Sequence, residues 1–383
     1  MYGIAFKEGD LRPTGGPAGY LYNLRHGLGA IGCNEVSFLP GASSFVVPGG
    51  LKKRIPLRVR QLNRARFWWD QVKSSSTLPD DFFGMDSIHF HSTVDLYRAR
   101  KWLSSYSGRV ILTSHSPCVA HKEVLDILNK ADLRLFGRLV SELKTADSFA
   151  FSRADGIIFP CVEAEECYFN TWDDYRFVRD ESKIHYLPTG IKAVFAAKSR
   201  KSVRQKYGIP PDAFVVSFAG RHNEIKGYDR IKKLAESGGF GKEVWFMIAG
   251  NEGPLMGPRA SQWIEVGWTD DPHSIISASD VFILPNRETY FDLVLLEVLC
   301  LGVPVIASLT GGNKHFMKYE AGRRAGMAFF YDDDELRERV NEARSRSAEG
   351  NAALGRLNTK LYEEEFSSEV FASRYVSLLE SIG

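Results

Sequence analysis

The chain has 383 residues, 44% of them hydrophobic, with 49 basic and 47 acidic side chains and a formal net charge of +2. That is ample apolar material for two domains with separate cores, and a charge balance that by itself selects no class of partner. The five cysteines (Cys33, Cys118, Cys161, Cys167 and Cys300) are odd in number and have no CxxC spacing, which argues against a disulfide scaffold or structural zinc.

The first residues, Met1-Tyr2-Gly3-Ile4-Ala5-Phe6, run at once into charge and not into a secretory apolar core. No apolar run approaches the length of a membrane span, so a soluble, cytoplasmic protein is expected. Strand-like runs alternate with helical patterns, the mark of parallel α/β layers. Strands are expected at 2–6, 36–39, 87–90, 110–113, 156–159 and 184–187. A second series follows at 213–219, 244–249, 264–266, 281–284 and 303–307. Two series predict two Rossmann-like domains, with the junction near 188–203. The tail, 354–382, reads as helical, with Phe366, Phe371, Tyr375, Leu378 and Leu379 at its apolar positions.

One segment of the first half differs from its surroundings. Residues 51–69 carry Lys52, Lys53, Arg54, Arg58, Arg60, Arg64 and Arg66 without an acidic residue, then end in Phe67-Trp68-Trp69. Cations beside indoles suit an anionic membrane surface. They equally suit a solvated helix packed through its aromatics. No nucleic-acid motif accompanies them. Arg58, Arg60, Arg64, Trp68 and Trp69 are the candidates for membrane-surface contact.

The strongest chemical signal lies in the second half. An apolar run ends at Gly220, the turn presents Arg221, and Lys226-Gly227 opens an amphipathic helix. Two cations at a strand-to-helix turn, beside helix-terminal N–H groups, form a site for a diphosphate. Some seventy residues on, 292–301 is almost wholly apolar and reads as a buried helix with Glu297 inside it. A carboxylate on a buried face needs a partner. Either a pair of ribose hydroxyls or a structural cation would supply one. No divalent-cation site is expected.

The Gly-Arg turn, Lys226-Gly227, the Glu297 helix and Gly302-Val303-Pro304-Val305-Ile306 together resemble the retaining nucleotide-sugar glycosyltransferases of family 4. Thr14-Gly15-Gly16-Pro17-Ala18-Gly19 resembles the family's N-terminal glycine loop. The segments ending in His89, His91 and His115 resemble its two histidine-bearing strand ends. The resemblance implies a GT-B fold: two Rossmann-like domains facing a deep interdomain cleft, with a C-terminal helix crossing back to the first. Residues 1–188, completed by about 367–383, would then bind acceptor, and 189–366 would bind the donor.

It also implies metal-independent transfer with retention, from a nucleotide-diphosphate sugar such as a UDP-sugar to a saccharide or lipid-linked saccharide. Such a reaction belongs to cell-surface glycan synthesis and needs no cofactor, the nucleotide-sugar being a substrate. Arg221 and Lys226 would bind the departing diphosphate, and His115 would lie near the donor sugar. Gly15, Gly16, Asp292, Leu293 and Val294 would bring backbone to the donor, and Glu297 would hold its ribose. His89 and His91 are the acceptor or cleft candidates; strand alternation would turn them to opposite faces.

One departure stands out. The family carries two glutamates eight positions apart, and here Thr289 occupies the first position with Glu288 just before it. Either the Thr289 hydroxyl meets the sugar, or a bulge brings Glu288 in. An epimerase of the same fold, or a catalytically silent partner subunit, would share the phosphate-binding residues. The first would need acid/base carboxylates at the sugar. A Rossmann oxidoreductase is disfavoured, because Gly15 to Gly19 lacks the G-x-G-x-x-G spacing.

Overall fold

The computed structural model describes residues 1–13, 15–41, 57–115, 118–125, 128–236, 239–251 and 253–382. The chain divides into two compact units: Met1–Pro188 together with Phe371–Gly383, and Thr189–Val370.

The first unit is built on β1 (Tyr2–Lys7), β2 (Val36–Leu39), β3 (Ser87–Phe90), β4 (Arg109–Leu112), β5 (Gly156–Phe159) and β6 (Ile184–Tyr186). They form one parallel sheet in the order β2-β1-β3-β4-β5-β6. The β3 and β5 strands are buried at every position, as expected when helices cover both faces of a parallel sheet. Against this sheet pack Tyr20, Leu21, Leu24 and Leu28 of the helix Pro17–Ala30. Phe371, Ala372, Tyr375, Leu379 and Ile382 of the last helix, Ser368–Ile382, join the same core. Their spacing places them on one stripe of that helix. The end of the chain is therefore part of the first unit's interior.

The second unit restarts with β7 (Phe214–Ala219), β8 (Val244–Ala249), β9 (Trp263–Gly267), β10 (Val281–Leu284), β11 (Val305–Ser308) and β12 (Met327–Phe330). This sheet is also parallel, in the order β12-β11-β10-β7-β8-β9. Eleven of the twelve strands coincide with expected ones to within two residues at either end. The twelfth, β12, is a correction to the sequence reading. It is a four-residue run, Met-Ala-Phe-Phe, whose two middle residues are half-buried, and it gains its pairing only from β11.

In the second unit the connections run outward from β7 in one direction and from β10 in the other, so these neighbours form a topological switch point. Loops at the carboxyl ends of such strands diverge and leave a crevice for a ligand. In the first unit β1 and β3 hold the same position.

Candidate active site

Three strand-end loops of the second unit meet. The loop after β7 is held by Asn223, whose Oδ1 accepts from the Lys226 amide at 2.9 Å. Gly227 then sits at φ 68°, and a Cβ there would fall 2.0 Å from the Pro285 carbonyl oxygen. Only glycine lets this loop rest on the one following β10. The loop after β11 closes the other side. Ser308 Oγ donates to the Asn286 carbonyl at 2.6 Å, Thr310 Oγ1 to that of Arg287 at 3.0 Å, and the Gly312 amide to that of Thr289 at 3.2 Å.

Within this frame Lys226 Nζ donates to Asp292 Oδ1 at 2.6 Å, and Asn286 Nδ2 donates to Oδ2 of the same carboxylate. Burial pushes the Asp292 pKa up, but Lys226, Asn286 and Thr289 outweigh it and hold the acid below its ordinary value. Asp292 occupies the N-cap of the helix Leu293–Cys300 without capping it through its side chain. Its carboxylate serves the lysine instead, and half-buried Leu293 and Val294 form the uncapped first turn. Arg221 is exposed and has no carboxylate partner among the described residues.

Of the two readings at the first glutamate position, Thr289 lies inside at 3% exposure while Glu288 is on the surface. Glu297 corrects an expectation. Its neighbours Leu295, Leu296, Val298 and Leu299 are buried, but its own side chain is 28% exposed, with His273 Nε2 3.5 Å away. It stands at the edge of the apolar stripe, where a partly solvated carboxylate costs less than a buried one.

In the first unit, Gly15 and Gly16 lead into the helix Pro17–Ala30, with open space where a Cβ would point. Thr14 lies outside the described residues. The three histidines gather at the carboxyl ends of β3 and β4, which corrects the expectation that His89 and His91 diverge. Residues two apart on a strand share a face, so alternation never separates His89 from His91, and the two rings lie with centroids 4.1 Å apart. His89 bonds Tyr375 Oη and Thr113 Oγ1, each at 2.9 Å, and His91 Nδ1 meets His115 Nε2 at 2.8 Å. Burial drives all three imidazoles towards neutrality, with His89 and His115 each lowered to about 3 and His91 well below its ordinary value.

The basic segment is largely a helix, Leu57–Lys73. Its part at 51–56, with Lys52, Lys53 and Arg54, and the Arg60 side chain lie outside the described residues. Arg58 pairs with Asp132 and Arg64 with Glu123. Trp68 and Trp69 pack beside Leu139, Leu143 and Ala146 of the helix Lys130–Arg153. Arg66 and Phe67 are exposed. Two of the cations are thus engaged within the unit. Reversing Arg58, Arg60 and Arg64 to Glu is therefore expected to lower the melting temperature as well as any binding to anionic vesicles. Co-sedimentation with anionic and neutral vesicles, beside thermal melts, separates the two effects. An unchanged melt with lost sedimentation would contradict a structural role for these pairs. Among the described residues no helix is long and apolar enough to cross a membrane.

Residues 213–344, which span β7 to the helix Asp333–Ser345, match the family model described as glycosyl transferases group 1. The O-antigen biosynthesis glycosyltransferase WclY of Escherichia coli is 27% identical over 146 residues, 36% of this chain and 40% of that one. The UDP-Gal:alpha-D-GlcNAc-diphosphoundecaprenol alpha-1,3-galactosyltransferase of Escherichia coli is 28% identical over 158 residues, again 40% of its length and 37% of this chain. The chain thus spans between 32% and 56% of the length of the curated relatives it matches. Sucrose-phosphate synthase from Thermosynechococcus elongatus superposes with a TM-score of 0.65 at 16% identity, covering 100% of this chain and 99% of that one. The fold is GT-B.

Sequence reasoning passed over Asn313, which follows Gly311-Gly312 and is 1% exposed, and assigned no role to Asn286, which is fully buried. The signal for Asn286 was its place directly after a strand end. For Asn313 it was the paired glycines of a third loop.

Proposed function

We propose that the chain is a retaining, metal-independent glycosyltransferase. It transfers a sugar from a nucleoside-diphosphate donor, a UDP-sugar, to a saccharide or lipid-linked saccharide in cell-surface glycan synthesis. The observation that carries this reading is the convergence, at the switch point of the second sheet, of Arg221, without a carboxylate partner among the described residues, the Lys226–Asp292 pair and an uncapped helix start. Such a site matches a diphosphate whose charge grows as it leaves, so it binds the transition state better than the ground state. The matched segment, 213–344, contains all of these groups. The galactosyltransferase relative, named for a UDP donor and a lipid diphosphate acceptor, supports the substrate classes.

In this reading 189–366 is the donor-binding domain and 1–188, completed by the chain's end, receives the acceptor at the cytoplasmic face of the membrane. No protein nucleophile is needed, because the leaving phosphate accepts the acceptor's proton. Nucleotide release from a panel of sugar nucleotides, with and without lipid-linked acceptors, tests it. Release that no acceptor stimulates would count against transfer.

Glu297 is assigned to the ribose hydroxyls. Glu297→Gln is expected to weaken binding of the free nucleoside diphosphate by roughly tenfold, the cost of one charge-assisted hydrogen bond. The melting temperature should hardly change, since the side chain is 28% exposed. Calorimetry checks it; unchanged affinity with a lowered melting temperature would make Glu297 structural.

A further inference from the structure

Among the described residues of the second unit, the side-chain oxygens of Asn286 and Asn313, both in strand-end loops, are buried without a hydrogen-bond partner, as are those of Asn351 and Asn358 on the helix Ala348–Glu365. Asn286 is fully buried, and its Nδ2 must face Asp292, because a carboxylate only accepts hydrogen bonds. Its Oδ1 is left with no hydrogen-bond partner among the described residues. The same elimination applies to Asn313. Its Nδ2 donates to the Ser308 carbonyl oxygen at 3.0 Å, so Oδ1 is again the free atom, likewise without a partner among the described residues.

The two side chains belong to one locality, since Ser308 bonds the Asn286 backbone through its hydroxyl and the Asn313 amide through its carbonyl. A buried acceptor without a donor costs as much as a lost hydrogen bond, so such atoms call for donors from a ligand. Phosphate oxygens cannot supply them, being acceptors themselves. Hydroxyl groups can.

We infer that Asn286 and Asn313 read hydroxyl groups of the transferred sugar, and that their acceptor-only setting beside the Asp292 carboxylate selects a neutral sugar over a uronic acid. This rests on the donor-site reading above and adds the class of sugar. A uronate carboxylate would meet the amide oxygens and Asp292, none of which can donate to it. Lys226 is engaged by Asp292 and, in the donor-site reading, by the diphosphate. Recognition of hydroxyls by buried acceptors also discriminates strongly, because a sugar lacking the hydroxyl leaves the acceptor unpaired.

The test is calorimetry on the full chain with UDP, GDP, UDP-glucose, UDP-galactose, GDP-mannose and UDP-glucuronate. At least one neutral sugar nucleotide is expected to bind more tightly than its free nucleoside diphosphate, and UDP-glucuronate no more tightly than UDP. Asn313→Ala is expected to remove roughly tenfold of that sugar-dependent affinity while leaving the nucleoside diphosphate's own affinity unchanged, and Asn286→Ala, which also frees Asp292, to lose at least as much. Wild-type binding of UDP-glucuronate as tight as that of the neutral conjugates overturns the inference without recourse to any variant. Loss of free nucleoside diphosphate binding in step with conjugate binding in the Asn313 variant also overturns it, since Asn313 would then support its loop alone. Failure of both UDP and GDP to bind the wild type overturns the donor-site reading and this inference with it.

Discussion

Arg221→Ala is expected to lower turnover by about 10²- to 10³-fold and leave the melting temperature where it was. Removing one preorganised donor to a developing negative charge costs on the order of 2.7–4 kcal/mol. Arg221 is exposed and has no carboxylate partner among the described residues, so the fold loses nothing with it. Lys226→Ala should damage turnover similarly but behave differently as a protein. It leaves Asp292 half-enclosed and without its cation, at a site where burial already pushes the carboxyl pKa up. Breaking one side of such a pair destabilises more than the pair itself contributes. The pair's contribution, from an acid held below its ordinary pKa, is present at neutral pH and lost as pH falls through the folded-state value. The Lys226 variant should therefore melt earlier at pH 7, and adding Asp292→Asn should restore part of the loss. Steady-state nucleotide release and thermal melts on the three proteins check this. Near-normal turnover in both single variants would sink the phosphate assignment.

The second large effect concerns acid. His89, His91 and His115 are held neutral by burial, and the unfolded chain binds protons at their ordinary pKa near 6.5, while in the folded chain His89 and His115 resist until about 3 and His91 is held well below its ordinary value. The unfolded state thus carries more protons throughout that window, so stability is complete above pH 6.5 and drains away as pH drops towards 3. The total is on the order of several kcal/mol, a large part of a domain's stability. Urea unfolding of wild type and of the His91→Gln, His115→Gln double variant at pH 7 and pH 5 measures it. The variant should show a shallower dependence on pH, and equal slopes would remove the histidines as its source.

Much of this architecture is legible in the sequence because parallel strands buried on both faces leave continuous apolar runs such as Val281-Phe282-Ile283-Leu284. The Arg221 turn is legible for the same reason, since its strand stops sharply at Gly220. What escapes is whatever depends on contact across loops. Nothing local in Asp292 says that its carboxylate turns from its own helix to Lys226, 66 positions earlier. Nothing in the basic segment says that Arg58 and Arg64 find Asp132 and Glu123. The divergence expected of His89 and His91 fails because a strand's period of two puts residues two apart on the same face. Glu297 looked buried because a composition run records neighbours and not the edge of a helical stripe.

The interleaving of the two units has a consequence for how the chain is made. Thr189–Val370 is one uninterrupted stretch and holds its own sheet, so it can complete its core while the ribosome is still translating. The first unit begins synthesis earlier but waits for Phe371, Tyr375, Leu379 and Ile382, which emerge only after the whole second unit. Nascent chains usually finish their domains from the amino end. Here that order is inverted, and the early half must persist incomplete until the segment after Val370 has followed the second unit out. A truncation before Phe371 would leave the second unit able to fold and strip the first of one wall of its core.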